Sequence, residues 1–249
     1  MSPALFLAIL AVSALLTSFV SGILGMAGGM ILMGILLAMM PVPTAMLLHG
    51  ITQLASNLWR AIMWRKSVDW RVFREYVLGA LAATAAFALL QLVVSKPIAF
   101  VVMGLTPFVT LVLPEKLHLN VERRGHSFAC GAVCSALSLT AGVSGPILDV
   151  FFVRSRMTRH AVIATKAMTQ SASHLLKILY FGGVVAVGGG AVAPWVGAMM
   201  VTLAVIGTSL SRPVLEKMND ESFRRWTRRT IMTLGAFYLA SGAWMLLQR

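Results

Sequence analysis

From Pro3 to Met33 the chain carries no charged residue, and Tyr76 to Val94 and Val184 to Ser211 are equally bare. A helix needs about 20 consecutive apolar residues to cross the hydrocarbon layer, so these windows commit the chain to a bilayer. The composition agrees: 58% of residues are hydrophobic, only 12% are charged, and the mean hydropathy is +0.84. A soluble domain carries about a quarter charged residues, and no stretch here reads as a soluble domain or a long linker. The N-terminus lacks a positive n-region and an A-x-A site, so Pro3 to Leu24 reads as a retained membrane segment rather than a cleaved signal.

The formal net charge of +13 does not point to nucleic acid, because the basic residues cluster in short segments between apolar runs, as cytoplasmic loops of membrane proteins do. Those loops are placed to touch anionic lipid. Cys130 and Cys134 sit four apart on one face of an apolar helix, which makes them small packing residues; with no other ligand nearby, no metal site is expected. No G-x-S-x-G, H-E-x-x-H or paired carboxylates occur, and Gly188-Gly189-Gly190 has no following Lys. Neither an enzyme nor a cofactor is therefore expected. Trp59, Trp64, Trp70, Trp195, Trp226 and Trp244 fall near expected helix ends, as an interfacial belt.

The chain contains an internal repeat. TQLASNLWR, from Thr52 to Arg60, recurs as TQSASHLLK, from Thr169 to Lys177, at an offset of 117. Upstream of each, LGMAGGMIL (Leu24 to Leu32) is matched by TAGVSGPIL (Thr140 to Leu148) at an offset of 116. Two matches in the same order, reconciled by a single-residue indel, mark a duplication. Repeat 1 is expected over 1–115 and repeat 2 over 124–249, joined by a cytoplasmic linker at 116–123.

Charge then orients the halves. Arg60 to Arg74, Leu113 to His126 (with Lys116, Arg123 and Arg124), Arg154 to Arg159, and Arg212 to Arg229 are expected on the cytoplasmic side. Gly182 to Gly190 and Ser95 to Pro97 are expected outside. Thr44 to Trp64 then runs outside to inside, whereas its counterpart Thr158 to Phe181 runs inside to outside. The fold class this predicts is an all-α membrane protein with two inverted-topology repeats of about five helical segments each, a plan common among transporters. Gly125 and Arg154 flank too few residues for two full crossings, so a re-entrant or broken helix pair is expected, with its tip at Ala141 to Pro146. Leu5 to Met40 is the mirror pair, with its tip at Gly25 to Met30; whether that pair is re-entrant or fully spanning stays open.

The candidate site residues follow from this plan. Gly25, Gly28 and Gly29 in one tip, and Gly142, Ser144 and Gly145 in the other, permit irregular backbone, and Pro146 suits a first helical turn. Each tip then opens a short helix whose free N–H groups attract an anion; the competing reading is close packing through small residues, as in G-x-x-x-G seams. His49, Gln53, Asn57 and Arg60 step by 4, 4 and 3 along one helical face, and Lys166, Gln170, His174 and Lys177 repeat those steps. Thr52, Ser56, Thr169 and Ser173 lie beside them. Ionisable residues on lipid cost several kcal/mol, about 2.5 to 3.5 at the low end, so the stripes should face inward. Arg60 can instead snorkel to the cytoplasmic end, and Lys177 outward. Donors dominate this set, as an oxyanion requires. The substrate-binding candidates are therefore Gly28, Gly29, Gln53, Ser56, Asn57, Ser144, Gly145, Lys166, Gln170, Ser173, His174 and Lys177. Asp149, whose repeat partner is Met33, is a lone intramembrane carboxylate: a proton relay, or a static partner for Lys166 or Lys177. His174 titrates in the right range to carry a proton. His174 and Asp149 are the coupling candidates.

These features resemble the TauE/SafE (TSUP, DUF81) sulfite exporter family: two copies of a hydrophobic unit, each opening on a glycine-rich segment (Gly22 to Gly29, and Ala141 to Pro146) and followed by a polar-striped helix bearing Thr-Gln-x-Ala-Ser. Met30 stands where that family commonly has a proline. The resemblance spans nearly the whole chain. It implies a secondary transporter of the bacterial inner membrane that exports sulfite, sulfoacetate or other organosulfonates, with proton coupling as a hypothesis; the residues themselves say only "small anion". A passive anion channel and a non-transporting membrane assembly protein are the rivals, and cation binding has only Asp149 in its support. The expected partners are a small anionic substrate and lipid, with no nucleic acid; a homodimer is compatible with the chain.

Overall fold

The computed structural model describes residues 2–112 and 119–248, so residues 116–118 of the expected linker lie outside the described residues. Among the described residues there is no strand, and ten α-helices follow one another: α1 (Pro3–Leu24), α2 (Met26–Met39), α3 (Val42–Met63), α4 (Trp70–Leu90), α5 (Lys96–Val112), α6 (His126–Ala141), α7 (Gly145–Phe152), α8 (Arg159–Val187), α9 (Pro194–Lys217) and α10 (Asp220–Leu247).

Local chemistry sets the boundaries. Ser2, Asp69, Thr158 and Asn219 cap the N-termini of α1, α4, α8 and α10 by accepting from backbone N–H groups of the first turn. Prolines open α3 and α9, where the missing N–H costs nothing. Gly25 breaks α1 from α2, and Gly142 ends α6; both adopt positive φ, 66° and 78°, which L side chains rarely take.

Among the described residues four helices, α1, α4, α9 and α10, are long and apolar enough to cross a membrane. With 22 and 29 residues, α3 and α8 have the length, but their polar stripes dilute their apolar character, and they pack extensively against each other instead. The chain is an all-α membrane protein. Its short helices are the broken ones. At about 1.5 Å per residue, the 16 residues of α6 and the 8 of α7 reach only about 24 and 12 Å, short of the ~30 Å hydrocarbon layer. The first pair is unequal: α1, with 22 residues, is long enough to cross, and α2, with 14, is not.

The packing has the same pattern in both halves. α1 lies along α9 as α6 lies along α4; α2 touches α10 as α7 touches α5; and α5 packs on α10. Backbones approach closely at these seams. A Cβ on Gly79 or Gly131 would fall 1.9 Å from a carbonyl of α6 or α4, and one on Gly207 would fall 2.3 Å from Leu15 O of α1. Such contact replaces the hydrophobic drive that lipid cannot supply. Two apolar cores result. One surrounds α2 with Leu10, Met33, Met46, Met103 and Tyr238. The other joins α4, α6 and α7 through Tyr76, Cys130, Cys134, Leu148 and Phe151; the two cysteines are buried packing residues, as their spacing predicted. Leu89, Leu179 and Val187 project outward, as lipid-facing residues do.

The loops after α3, before α6 and before α8 meet at one end. Arg71 Nη2 donates to Glu122 O, Asn120 Nδ2 donates to Arg154 O, and Trp64 stacks on His160. This end is rich in arginine. At the other, Tyr180 Oη donates to Leu92 O beyond the end of α4.

Candidate functional site

The two glycine tips meet. A Cβ on Gly145 would lie 2.4 Å from Met26 Cβ, and one on Gly142 would lie 2.4 Å from Met33 Sδ. The start of α2 thus abuts the start of α7, with α3 and α8 on either side. On the arginine-rich side of this junction lies a cavity of about 620 Å³. Its polar wall comes from Gln53, Asn57 and Arg60 of α3 and from Lys166 and Gln170 of α8, with Gly25 and Gly145 from the tips; Phe152, Val162, Ile163 and Leu215 give it an apolar side. Three cationic side chains, Arg60, Arg159 and Lys166, line it against one carboxylate, Asp149. Toward the surface Asp149 and Thr227 are shared with a shallower depression lined by Arg225, Arg228 and Arg229 and by Glu221, which pairs with Arg225.

Within the cavity Lys166 Nζ donates to Asp149 Oδ1, and both side chains keep partial exposure. Arg60 Nη2 donates to Ser21 O at 3.1 Å, and Asn57 Nδ2 to Gln53 O at 2.9 Å. Gln53 lines the cavity but is buried, and its Nε2, enclosed beside Gly29, has no hydrogen-bond partner among the described residues. A buried donor left unpaired costs about 1–3 kcal/mol. The first intrahelical bond of α7 is Leu148 N to Ser144 O, which leaves the earlier N–H groups of that turn without helix partners.

On the far side of the junction the same repeat positions are sealed. Lys177 is fully buried; its Nζ lies 2.7 Å from His49 Nδ1 and donates to Gly142 O at 3.0 Å. His49 Nε2 bonds Gly29 O at 3.0 Å, and the His174 ring stands edge-on to His49 at 5.7 Å. Gly29 O can only accept, so His49 Nε2 carries the proton and Nδ1 accepts from Lys177 Nζ. His174 Nδ1 has no partner among the described residues.

The sequence-predicted residues therefore divide. Gln53, Asn57, Gly145, Lys166, Gln170 and Asp149 line the cavity, and so does Arg60, whose snorkelling is replaced by a bond to Ser21 O. Gly29, His174 and Lys177 belong to the sealed cluster, and Lys177 does not take the alternative of snorkelling outward: its Nζ has two polar partners inside. Asp149 pairs with Lys166, not Lys177. Gly28 packs on α1, where a Cβ would fall 2.0 Å from Thr17 O, and Ser144 is the buried N-cap residue of α7, whose side chain makes no cap bond. Ser56 and Ser173 lie off the cavity, bonded to Thr208 Oγ1 at 2.7 Å and Tyr76 Oη at 2.8 Å. Thr52 and Thr169 turn back to carbonyls of their own helices. Sequence reasoning missed Ser21. Its signal was present: Ser13, Thr17 and Ser21 recur every fourth residue on an apolar helix, and all three are buried.

Broken helices whose starts face a cationic cavity between two polar-striped helices define a membrane transport protein. The chain belongs to the sulfite exporter TauE/SafE family, whose model matches residues 10–248. No significant match was found among curated proteins or among solved structures.

Proposed function

We propose that this protein is a secondary transporter that moves small sulfur-containing oxyanions, sulfite or organosulfonates such as sulfoacetate, across the bacterial inner membrane in the direction of export. In this reading the chain is multi-pass. Its halves, 1–115 and 124–249, are related by an inverted-topology repeat, and the arginine-rich end faces the cytoplasm. The observation that carries the reading is the cavity itself: Lys166, Arg60 and Gln53 line it where two broken helices begin. Cationic side chains and backbone N–H groups are the donors an oxyanion takes.

The cavity opens to one side only. Beyond the tips, Met26, Met33, Lys177 and His49 are packed against Gly145, Gly142 and Gly29. That layer favours a carrier over the rival passive channel, because a conducting channel needs a continuous path. Alternation would move one repeat against the other and exchange the open and sealed halves. Proton coupling would run through Asp149, at the mouth, and His174, in the sealed cluster.

Reconstitution into proteoliposomes tests this. Saturable, gradient-driven sulfite or ethanesulfonate flux is expected, and it should be lost in Lys166→Gln. Unitary currents far above carrier rates would establish the channel instead. Absence of any anion flux in an orientation-controlled preparation would leave the assembly-protein reading. pH-driven flux that survives alanine at both Asp149 and His174 would remove those two from the coupling path.

A further inference from the structure

Asp149 is the one acidic side chain lining the cavity, and it has no counterpart in the other half. Its repeat position is Met33, a fully buried core residue. The positions of Lys166 and Lys177 do have counterparts, His49 and Arg60, so the repeat kept its donors and added one carboxylate. That carboxylate sits on Lys166 Nζ and at the junction between the inner cavity and the arginine-lined mouth. Any anion arriving from that mouth passes it.

We infer that Asp149 is a built-in stand-in for the transported anion: it holds Lys166 when the cavity carries no substrate, and an oxyanion binds by displacing it from the ammonium. The inference rests on the transport reading above and deepens it. The chemistry is a competition for one set of donors. Lys166 offers three N–H groups on a compact cation, and a carboxylate oxygen and a sulfonate oxygen are alternative acceptors for them. Asp149 is tethered to α7, one helix long and anchored by Leu148 and Phe151 in the second core, so it always returns to Lys166. Substrate affinity is thereby lowered and release hastened. A carrier benefits from this, because a tightly held anion leaves slowly.

The sealed cluster shows the alternative design. Lys177 there is held by a carbonyl and an imidazole and by no carboxylate. The carboxylate accompanies the lysine that faces the cavity and not the fully buried one.

The test is sulfite and ethanesulfonate binding to purified full-length protein by isothermal titration calorimetry, in wild type, Asp149→Asn and Asp149→Met. The Met variant copies the residue the first repeat holds at this position. Removing the competing charged acceptor should tighten binding by about tenfold or more, while gradient-driven flux slows as release becomes limiting. Detectable binding in the variants alone would also support the inference. Equal or weaker binding in folded Asp149→Asn and Asp149→Met overturns it and leaves the transport reading standing. No binding in wild type or variants removes both. Infrared difference spectroscopy on wild type supplies a readout that no variant needs. Ethanesulfonate should shift a carboxylate stretching band as Asp149 leaves Lys166, and a spectrum without that band would overturn the inference even if the variants did not fold.

Discussion

The cavity around Lys166 and the cluster around Lys177 are built from the same repeat positions and differ in access. Lys166 stands where the first half has His49, and Lys177 stands where it has Arg60, at an offset of 117. Lys166 and Arg60 face a cavity of about 620 Å³; Lys177 and His49 face each other behind the tips, with Lys177 fully buried. One polar stripe on each helix thus crosses from open to sealed within a single turn: Gln53 to His49 along α3, and Gln170 to His174 along α8. What separates them is the contact of the two glycine tips, Gly145 on Met26 and Gly142 on Met33. Glycine there supplies clearance, and at Gly142 the positive φ as well, and the polar residues acquire opposite environments from which side of that contact they occupy.

The largest effect that comparison predicts is in accessibility. Cysteine at Gln170 should react rapidly with a membrane-impermeant thiol reagent applied from the arginine-rich side, and cysteine at His174, one turn on, should not. A rate ratio on the order of a hundredfold is expected, equivalent to about 2.8 kcal/mol of opening free energy. The native Cys130 and Cys134 are buried in the α4–α6 seam and leave a low background. Comparable rates at the two positions would mean that the tips do not form a barrier, and the open-versus-sealed distinction would fall.

Next in size is the loss of binding on removing the cation that faces the cavity. Lys166→Gln should weaken sulfite binding by about ten- to a hundredfold, the range for hydrogen bonds to a charged group, as read by calorimetry. Affinity within twofold of wild type would move the site away from Lys166 and toward Arg60 and the mouth.

Much of this arrangement was legible in the chain. Charge-free windows gave the membrane class, because nothing but a bilayer accommodates them. The duplicated Thr-Gln-x-Ala-Ser stretches marked α3 and α8 as a pair before any contact between them was known, and the short span between Gly125 and Arg154 forced α6 and α7 to be broken. What the sequence left open is which members of a stripe share one space. Period 3.6 puts Ser56 beside Asn57 and Ser173 beside His174, but a helical face is more than 100° wide, and its edge belongs to the neighbouring helix. Thr208 of α9 and Tyr76 of α4 take those edges. Ser21 was hidden for the opposite reason: hydroxyls in an apolar helix give little hydropathy signal, and it is the carbonyl of Ser21, not its side chain, that holds Arg60. Nor can spacing say that Lys166 and Asp149 meet, since α7 and α8 are separate elements whose relative placement is set by packing.

Clearance at the tips gives a moderate effect on stability. Gly145→Ala places a Cβ 2.4 Å from Met26 Cβ, and overpacking of a tight site costs typically about 1–3 kcal/mol. Gly183, in the same protein and within α8, has nothing within 4 Å of an added Cβ, so Gly183→Ala should be neutral or raise stability by up to about 1 kcal/mol through helix propensity. Thermal unfolding in one detergent compares the two directly. If both substitutions act alike, contact between the tips is not what holds the halves together.

The smallest effect falls on the two serines whose periodicity placed them at the site. Each hydroxyl is buried in one hydrogen bond to a neighbouring helix, Ser56 to Thr208 and Ser173 to Tyr76. Replacing either with alanine removes a neutral bond worth about 0.5–1.5 kcal/mol, so unfolding should shift slightly. Sulfite affinity should stay within about twofold, because neither oxygen reaches the cavity. The equivalence of the two positions makes the pair informative: Ser56→Ala and Ser173→Ala should behave alike although one helix presents Lys166 and the other Gln53. A tenfold loss of affinity in one and not the other would show that the binding surface extends to that flank, and that openness follows the individual helix, not the side of the glycine contact on which a residue lies.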